Sequence, residues 1–358
     1  MKEDDRALAP LVEDLGIYLI AGRTYDPGEA IRQGALAERL GFRRVFLSER
    51  FDLKEAGALL GGVSATTTRL EVGTGIVACG SRHPLVTAAM AATMQAAYGH
   101  RFFLGLGRSS GPYLQGQSME EFGYQAYEDY CGIVRRLLKG ETVSYDGPAG
   151  RYEALKTVDA CPPPPPEVWT STMGGPRASK LAARAGDGIL LVPFLTVEAV
   201  RRAVEIIRRE RERVGLDPNV TISHPIIVAA ELDDDYTLAI SAARFVTYVV
   251  GMPVFAKAYL DRNGWDPETM NELVNHPQFR AMERATADQS FHRAEIMEPA
   301  RRVPESWMRE TCAIGSVNEC IKTLQAFREA GVDELALYGS TPADNAKLIA
   351  AWRDAKTA

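Results

Sequence analysis

Strand-like and helix-like stretches alternate along most of this chain, and the strand-like ones are apolar almost without interruption. The sequence reads as a strand over 16–22 (GIYLIAG), a helix over 27–41 opened by Pro27 and closed by Gly41, a strand over 43–49 (RRVFLSE) and a helix to about Thr67. A strand over 70–79, a helix over 84–98, a strand over 101–107 and a helix over roughly 118–139 follow. Strands at 167–172, 188–193 and 220–231, each with a helix after it, lead to a last strand at 332–338 and a helix at 343–355. Strands that are apolar throughout, rather than at every second residue, are buried on both faces, and regular βα alternation sets them parallel. About eight such units make an α/β fold of the (β/α)8, or TIM, barrel class. An open doubly wound sheet competes with it, but such a sheet usually carries GxGxxG after its first strand, and the stretch after 16–22 has none.

A barrel needs about 250 residues, and the chain has 358. The surplus falls in two insertions within a single domain. The first, 141–166, reads as a hairpin turning at Asp146-Gly147 and ending in the proline run 162–166. The second, 251–311, is polar, helical in pattern and rich in Met and aromatic residues, and it is expected over the barrel mouth or at a subunit contact.

Composition excludes several classes of function. The chain is 46% hydrophobic and 25% charged with a net charge of -6, which disfavours a nucleic-acid or anionic-membrane partner. The Arg-rich stretch 201–213 is the wet face of an amphipathic helix whose apolar stripe is Val200, Ala203, Val204 and Ile207. No apolar run approaches the roughly 20 residues of a membrane span, and MKEDDRALAP has no signal-peptide core. Five scattered cysteines (79, 131, 161, 312, 320) without a CxxC, and five histidines without HxxxH spacing, point to a cytoplasmic protein with no disulfide framework and no metal site.

The chemistry of a barrel sits at the C-terminal ends of its strands. Here those ends carry Ser48-Glu49-Arg50-Phe51, Gly73-Thr74-Gly75-Ile76 and Gly105-Leu106-Gly107-Arg108-Ser109-Ser110. A charged pair closing an apolar run either points into a polar pocket or forms a surface pair. Glycine inside a strand marks a bulge, a close approach of a ligand or relief of packing. After the strand at 167–172, Gly174-Gly175-Pro176 precedes a helix. This order is either a tight turn or a set of bare N–H groups at a helix N-terminus holding a phosphate.

The segments ERLGFRRVFLSERF (38–51), LEVGTGIVACGSRHPLVTAAMAATM (70–94), RFFLGLGRSSG (101–111), YCGIVRRLLKGETVSYDGPAGRY (130–152) and GGPRASKLAARAGDGIL (174–190) resemble the luciferase-like superfamily of flavin and deazaflavin oxidoreductases, and within it the coenzyme F420 branch. The resemblance implies a barrel holding an isoalloxazine-type ring at its mouth, commonly in a homodimer, with a small-molecule substrate. It implies a cofactor phosphate near Thr172, Met173, Gly174 and Gly175, and a bulge with a cis peptide at Gly75-Ile76 behind the ring. Gly107, Arg108 and Ser109 complete the expected cofactor contacts.

Two departures matter. The F420-dependent sugar-phosphate dehydrogenases of this branch carry an Asp-His pair where this chain has Glu49-Arg50, and a glutamate where it has Ser110. Their histidine and glutamate move the proton. Arginine stays protonated and cannot be a general base, so that activity is not expected. Arg50 is expected to act through charge at the mouth. Glu49 is either an acid or base in a pocket or is neutralised by Arg50. The other nearby donors are Arg108, Ser109, Tyr113 and His83, the last read as a helix-start residue with a satisfied ring. Three functions stand open: an F420-dependent oxidoreductase passing a hydride to or from an organic substrate, an FMN-dependent monooxygenase, and a barrel that binds a ligand without turnover.

Overall fold

The computed structural model describes residues 8–109 and 111–357. In chain order its strands are β1 (Val12–Tyr18), β2 (Phe42–Leu47), β3 (Glu71–Thr74), β4 (Val77–Ala78), β5 (Phe102–Gly107), β6 (Val143–Gly147), β7 (Gly150–Leu155), β8 (Glu167–Ser171), β9 (Gly188–Leu190), β10 (Thr221–Ala230), β11 (Cys312–Gly315) and β12 (Glu334–Tyr338). Strands β1, β2, β3, β5, β8, β9, β10 and β12 pair in that sequence, all parallel, with β4 continuing the third position against β5. The ring closes where β12 returns to β1, with Leu15 opposite Leu335 and Ile17 opposite Leu337. This is the expected (β/α)8 barrel. Strand β10 outruns it, and β11 pairs with the overhang at Ile227–Ala230.

The outer layer is a ring of helices: α1 (Glu29–Leu40), α2 (Ala56–Ala65), α3 (Pro84–Tyr98), then Tyr124–Leu138, Pro176–Ala185, Val197–Arg213, Val317–Glu329 and Ala346–Thr357. Each touches the next, and the last touches α1. Local signals set their ends. Gly41 closes α1 at φ 88°, a left-handed value that glycine adopts at no steric cost. His83 caps α3, its ring Nδ1 accepting from the Leu85 N–H at 3.3 Å, so its predicted helix-start role holds. Val200, Ala203, Val204 and Ile207 of the Arg-rich helix are buried, as the stripe required; of its arginines, Arg211 is buried too and donates to the Ala183 and Gly186 carbonyls at 2.8 Å and 3.0 Å.

The barrel interior carries charge as well as hydrocarbon. Arg44 of β2 is buried, pairs with Glu71 at 2.7 Å and Glu334 at 3.1 Å, and lies over the Phe103 and Trp169 rings. Residues of β2, β5, β8 and β12 therefore meet in one layer beneath the mouth.

Three differences from the sequence reading stand out. The first strand starts at Val12, four residues earlier, because the buried acid Asp14 within it is matched by Arg328 and Lys356 and by the indole N–H of Trp352. The hairpin turns at Pro148-Ala149, since Asp146 pairs with Arg151 and Gly147 with Gly150. Strand β11 has no counterpart in the reading. The insertion 251–311 is helical: Pro253–Asn263, Pro267–Val274, the short helices Ala287–Ser290 and Met297–Ala300, and Glu305–Thr311, with single 3-10 turns between. Among the described residues no single helix is long and apolar enough to cross a membrane.

Candidate active site

A cavity of about 790 Å³ opens at the C-terminal ends of the strands, within the range of small-molecule sites. Strand-end residues Tyr18, Ser48, Gly75, Ser171, Leu190 and Tyr338 line it. The insertion roofs it through Met252, Phe255, Arg262 and Asp288. Of the residues singled out from sequence, Glu49, Arg50, Gly75, Ile76, Arg108, Ser109, Thr172, Met173 and Gly175 line this one cavity. Ser110 lies outside the described residues.

One wall is the break between β3 and β4. The Gly75-Ile76 peptide is cis, as expected. A Cβ on Gly75 would stand 2.6 Å from the Tyr18 hydroxyl, so only glycine fits against that ring. Gly107 lies behind this wall rather than on it; a Cβ there would press on Ile76 at 2.8 Å and Ser171 Oγ at 2.7 Å. Its part is to let Ile76 seat, which corrects its expected direct contact. Arg108 donates to the Phe122 carbonyl at 2.7 Å and lies over the Tyr124 ring, which Arg177 also faces. Ser109 holds a left-handed φ of 61°.

The second feature is the turn into the helix Pro176–Ala185. Gly174 has φ 76°, and its N–H is donated to Thr172 Oγ1 at 3.1 Å. That N–H is spent on the turn, so Gly174 shapes the loop and does not offer the bare donor expected of it. The first turn itself leaves the N–H groups of Arg177 and Ala178 without intrahelical partners. A Cβ on Gly175 would collide with the guanidinium of Arg262, which reaches over from Pro253–Asn263. The Arg262 Nε is buried and has no hydrogen-bond partner among the described residues. A helix N-terminus, a bare glycine and an unspent guanidinium N–H thus face one place, and an anion fits it.

The third feature is a charged floor. Glu49 and Arg50 do not pair with each other. Glu49 pairs with Arg82 and accepts from the Ala56 N–H at 3.3 Å, while its second oxygen is buried with no partner among the described residues. Burial raises its carboxyl above the usual range and outweighs Arg82. Arg50 pairs with Asp288, donates to the Asp288 carbonyl at 3.1 Å and reaches Asp52 at 3.4 Å. Arg244 binds the other Asp288 oxygen at 2.6 Å, and donates to the Tyr338 hydroxyl at 2.8 Å and 3.0 Å. Burial alone would raise the Asp288 carboxyl, but Arg244 and Arg50 hold it down at about 2.

Lys54 completes the floor. It is 1% exposed, and its ammonium donates to the carbonyls of Ile20 at 2.8 Å and Gly22 at 3.1 Å. Burial first, then the Arg50 and Arg244 charges, bring it down to about 7. Sequence reasoning missed Lys54, Arg244, Asp288 and Arg262. Lys54 sits in a loop among other charges, and nothing in its spacing marks it as buried. The others lie far along the chain and meet Arg50 or Gly175 only through the fold.

The family model of the luciferase-like monooxygenases matches residues 15–334. The F420-dependent glucose-6-phosphate dehydrogenase of Segniliparus rotundus is 27% identical over 277 residues, 72% of this chain and 79% of that protein. Among solved structures, the coenzyme F420 dependent tetrahydromethanopterin reductase of Methanopyrus kandleri superposes with a TM-score of 0.72 at 18% identity, over 92% of this chain and 93% of that one. The oxygenating constituent of 3,6-diketocamphane monooxygenase from Pseudomonas putida, in complex with FMN, does so with 0.63 at 15% identity, over 95% and 96%.

Proposed function

Since the chain belongs to the luciferase-like monooxygenase family, we propose that it is an oxidoreductase using coenzyme F420 on a small organic substrate. The observation that carries the reading is the meeting of Gly175, the helix it opens and the partnerless Arg262 Nε, at one end of a cavity whose other wall is the Gly75-Ile76 break. That arrangement suits a flat ring joined to a phosphate. The choice of F420 is supported by the named activity of the relative from Segniliparus rotundus.

When bound, F420 supplies a hydride carrier that does not need oxygen. Arg262 and the helix N-terminus would hold its phosphate, and Gly75 and Ile76 would back its ring. The roof residues Met252 and Phe255 line the cavity and would shield the reacting face from water. Arg50 and Arg244, joined by Lys54, face the buried Asp288 and the more exposed Asp52 on the floor, and this cationic cluster would favour negative charge developing on a substrate oxygen. Arg50 acts through that shared network, not as a lone cation. We assign the protein to a homodimer in the cytoplasm, with sedimentation to check the assembly.

FMN is the second reading, because its ring and phosphate ask for the same two features. Fluorescence titration with F420 and FMN side by side decides. F420 should bind at least ~10-fold tighter, about 1.4 kcal/mol. Tighter FMN binding would favour the monooxygenase, and binding of neither would favour the non-catalytic barrel.

A further inference from the structure

We propose that Lys54 is the catalytic acid and base of this site, giving a proton to the substrate oxygen when a carbonyl is reduced and taking it back when an alcohol is oxidised. The inference rests on the F420 reading and adds the residue that replaces the absent proton-transfer pair.

The geometry of one nitrogen carries it. Lys54 Nζ is tetrahedral and bonded to its own stem, and two of its remaining three positions face the Ile20 and Gly22 carbonyls. Those carbonyls can accept from an ammonium and, more weakly, from a neutral amine. The two protonation states therefore differ only in the third position, which holds either a proton or a lone pair. Among the described residues no carboxylate pairs with Lys54, and the residue lines the cavity beside Gly22, Arg50, Arg244 and Asp288. Buried lysines freed of a counter-ion lose their proton readily and serve as acids and bases for that reason.

The charges around it fit this use. Arg50 and Arg244 repel a proton on Lys54, Asp288 and Asp52 retain it, and burial disfavours the charged form. Their sum brings the amine to about 7, where both forms are populated. The neighbouring alternatives are less suited. Arg50 and Arg244 cannot give up a proton. His83 caps α3. Glu49 is bound to Arg82.

In the reducing direction the carbonyl carbon gains the hydride and its π pair passes to oxygen. The oxygen takes the proton from Nζ and Lys54 is left neutral. The substrate is reduced to the alcohol and the cofactor is oxidised, releasing its ring proton to solvent, from which Lys54 recharges.

Carbonyl reduction should therefore fall above pH 7, and alcohol oxidation should rise there. Enzyme labelled with 15N at lysine Nζ is titrated by NMR, with Lys54→Met to assign the signal. Lys54 should titrate near neutrality. Acetone, cyclohexanone and 2-cyclohexenone are the probes for oxidation of reduced F420. Lys54→Met should lower the rate at least ~100-fold and flatten the pH profile, with F420 affinity kept within threefold. Lys54→Arg keeps the donors to Ile20 and Gly22, so it should restore folding but not the rate. A signal titrating above pH 9, rescue by Lys54→Arg, or a pH break that survives Lys54→Met and vanishes in Glu49→Gln overturns the proposal. If no probe turns over, the NMR midpoint alone decides. Loss of F420 binding by the unaltered enzyme would instead sink the cofactor reading.

Discussion

Gly175 stands where Arg262 leaves no room for a side chain. Its φ of -74° is open to any residue, and the obstacle is the mobile end of a long side chain. Gly175→Val should therefore fold, with its melting temperature nearly unchanged, while Arg262 is pushed from the anion position. F420 affinity should fall at least ~10-fold, measured by fluorescence titration. Unchanged affinity in a folded variant would remove the phosphate assignment. The glycine pair itself was legible in the sequence, because strand, Gly-Gly-Pro and helix follow in order. Which glycine serves the ligand was not legible. Gly174 spends its N–H on Thr172, and that is decided by a side-chain rotamer, not by spacing. The pairing of Glu49 with Arg50 failed for a related reason. Neighbours on an extended stretch point apart, so each found a partner from another element, Arg82 and Asp288.

At the scale of elements, the barrel strands could be read because burial on both faces leaves a continuous apolar run. The roof was legible only as a helical insertion set over the mouth or at a subunit contact; the bounds of its short polar helices carry no such pattern. One ionic contact ties the two together. Asp288 in Ala287–Ser290 binds Arg50 beyond β2 and Arg244 in Ala242–Val249. Its folded value of about 2 lies below the ordinary 3.8. The stability it adds is therefore complete above about pH 4 and lost as the pH falls towards 2. Acid titration followed by tryptophan fluorescence should show the roof loosening in that window, since Trp265 and Trp307 stack at 4.4 Å within it. Asp288→Asn should abolish that pH dependence while lowering stability at neutral pH, because the buried Arg244 loses its carboxylate and Arg50 keeps only the outer Asp52. The same acid transition in the Asp288→Asn variant would place the contact elsewhere.

The whole molecule combines a closed barrel, a mouth of about 790 Å³ and a roof that meets the strand ends at Arg50 and Gly175. Such a roofed mouth has room for a ring and a small substrate side by side, which suits hydride transfer between them. The direct test is isotopic. F420 reduced with deuterium at its hydride-carrying carbon is incubated anaerobically with the enzyme and a panel of carbonyl, enone and imine acceptors, and the products are weighed by mass spectrometry. Hydride transfer predicts a product one mass unit heavier that forms without oxygen. A product that forms only with FMN and oxygen, carrying label from the oxygen gas, would contradict it.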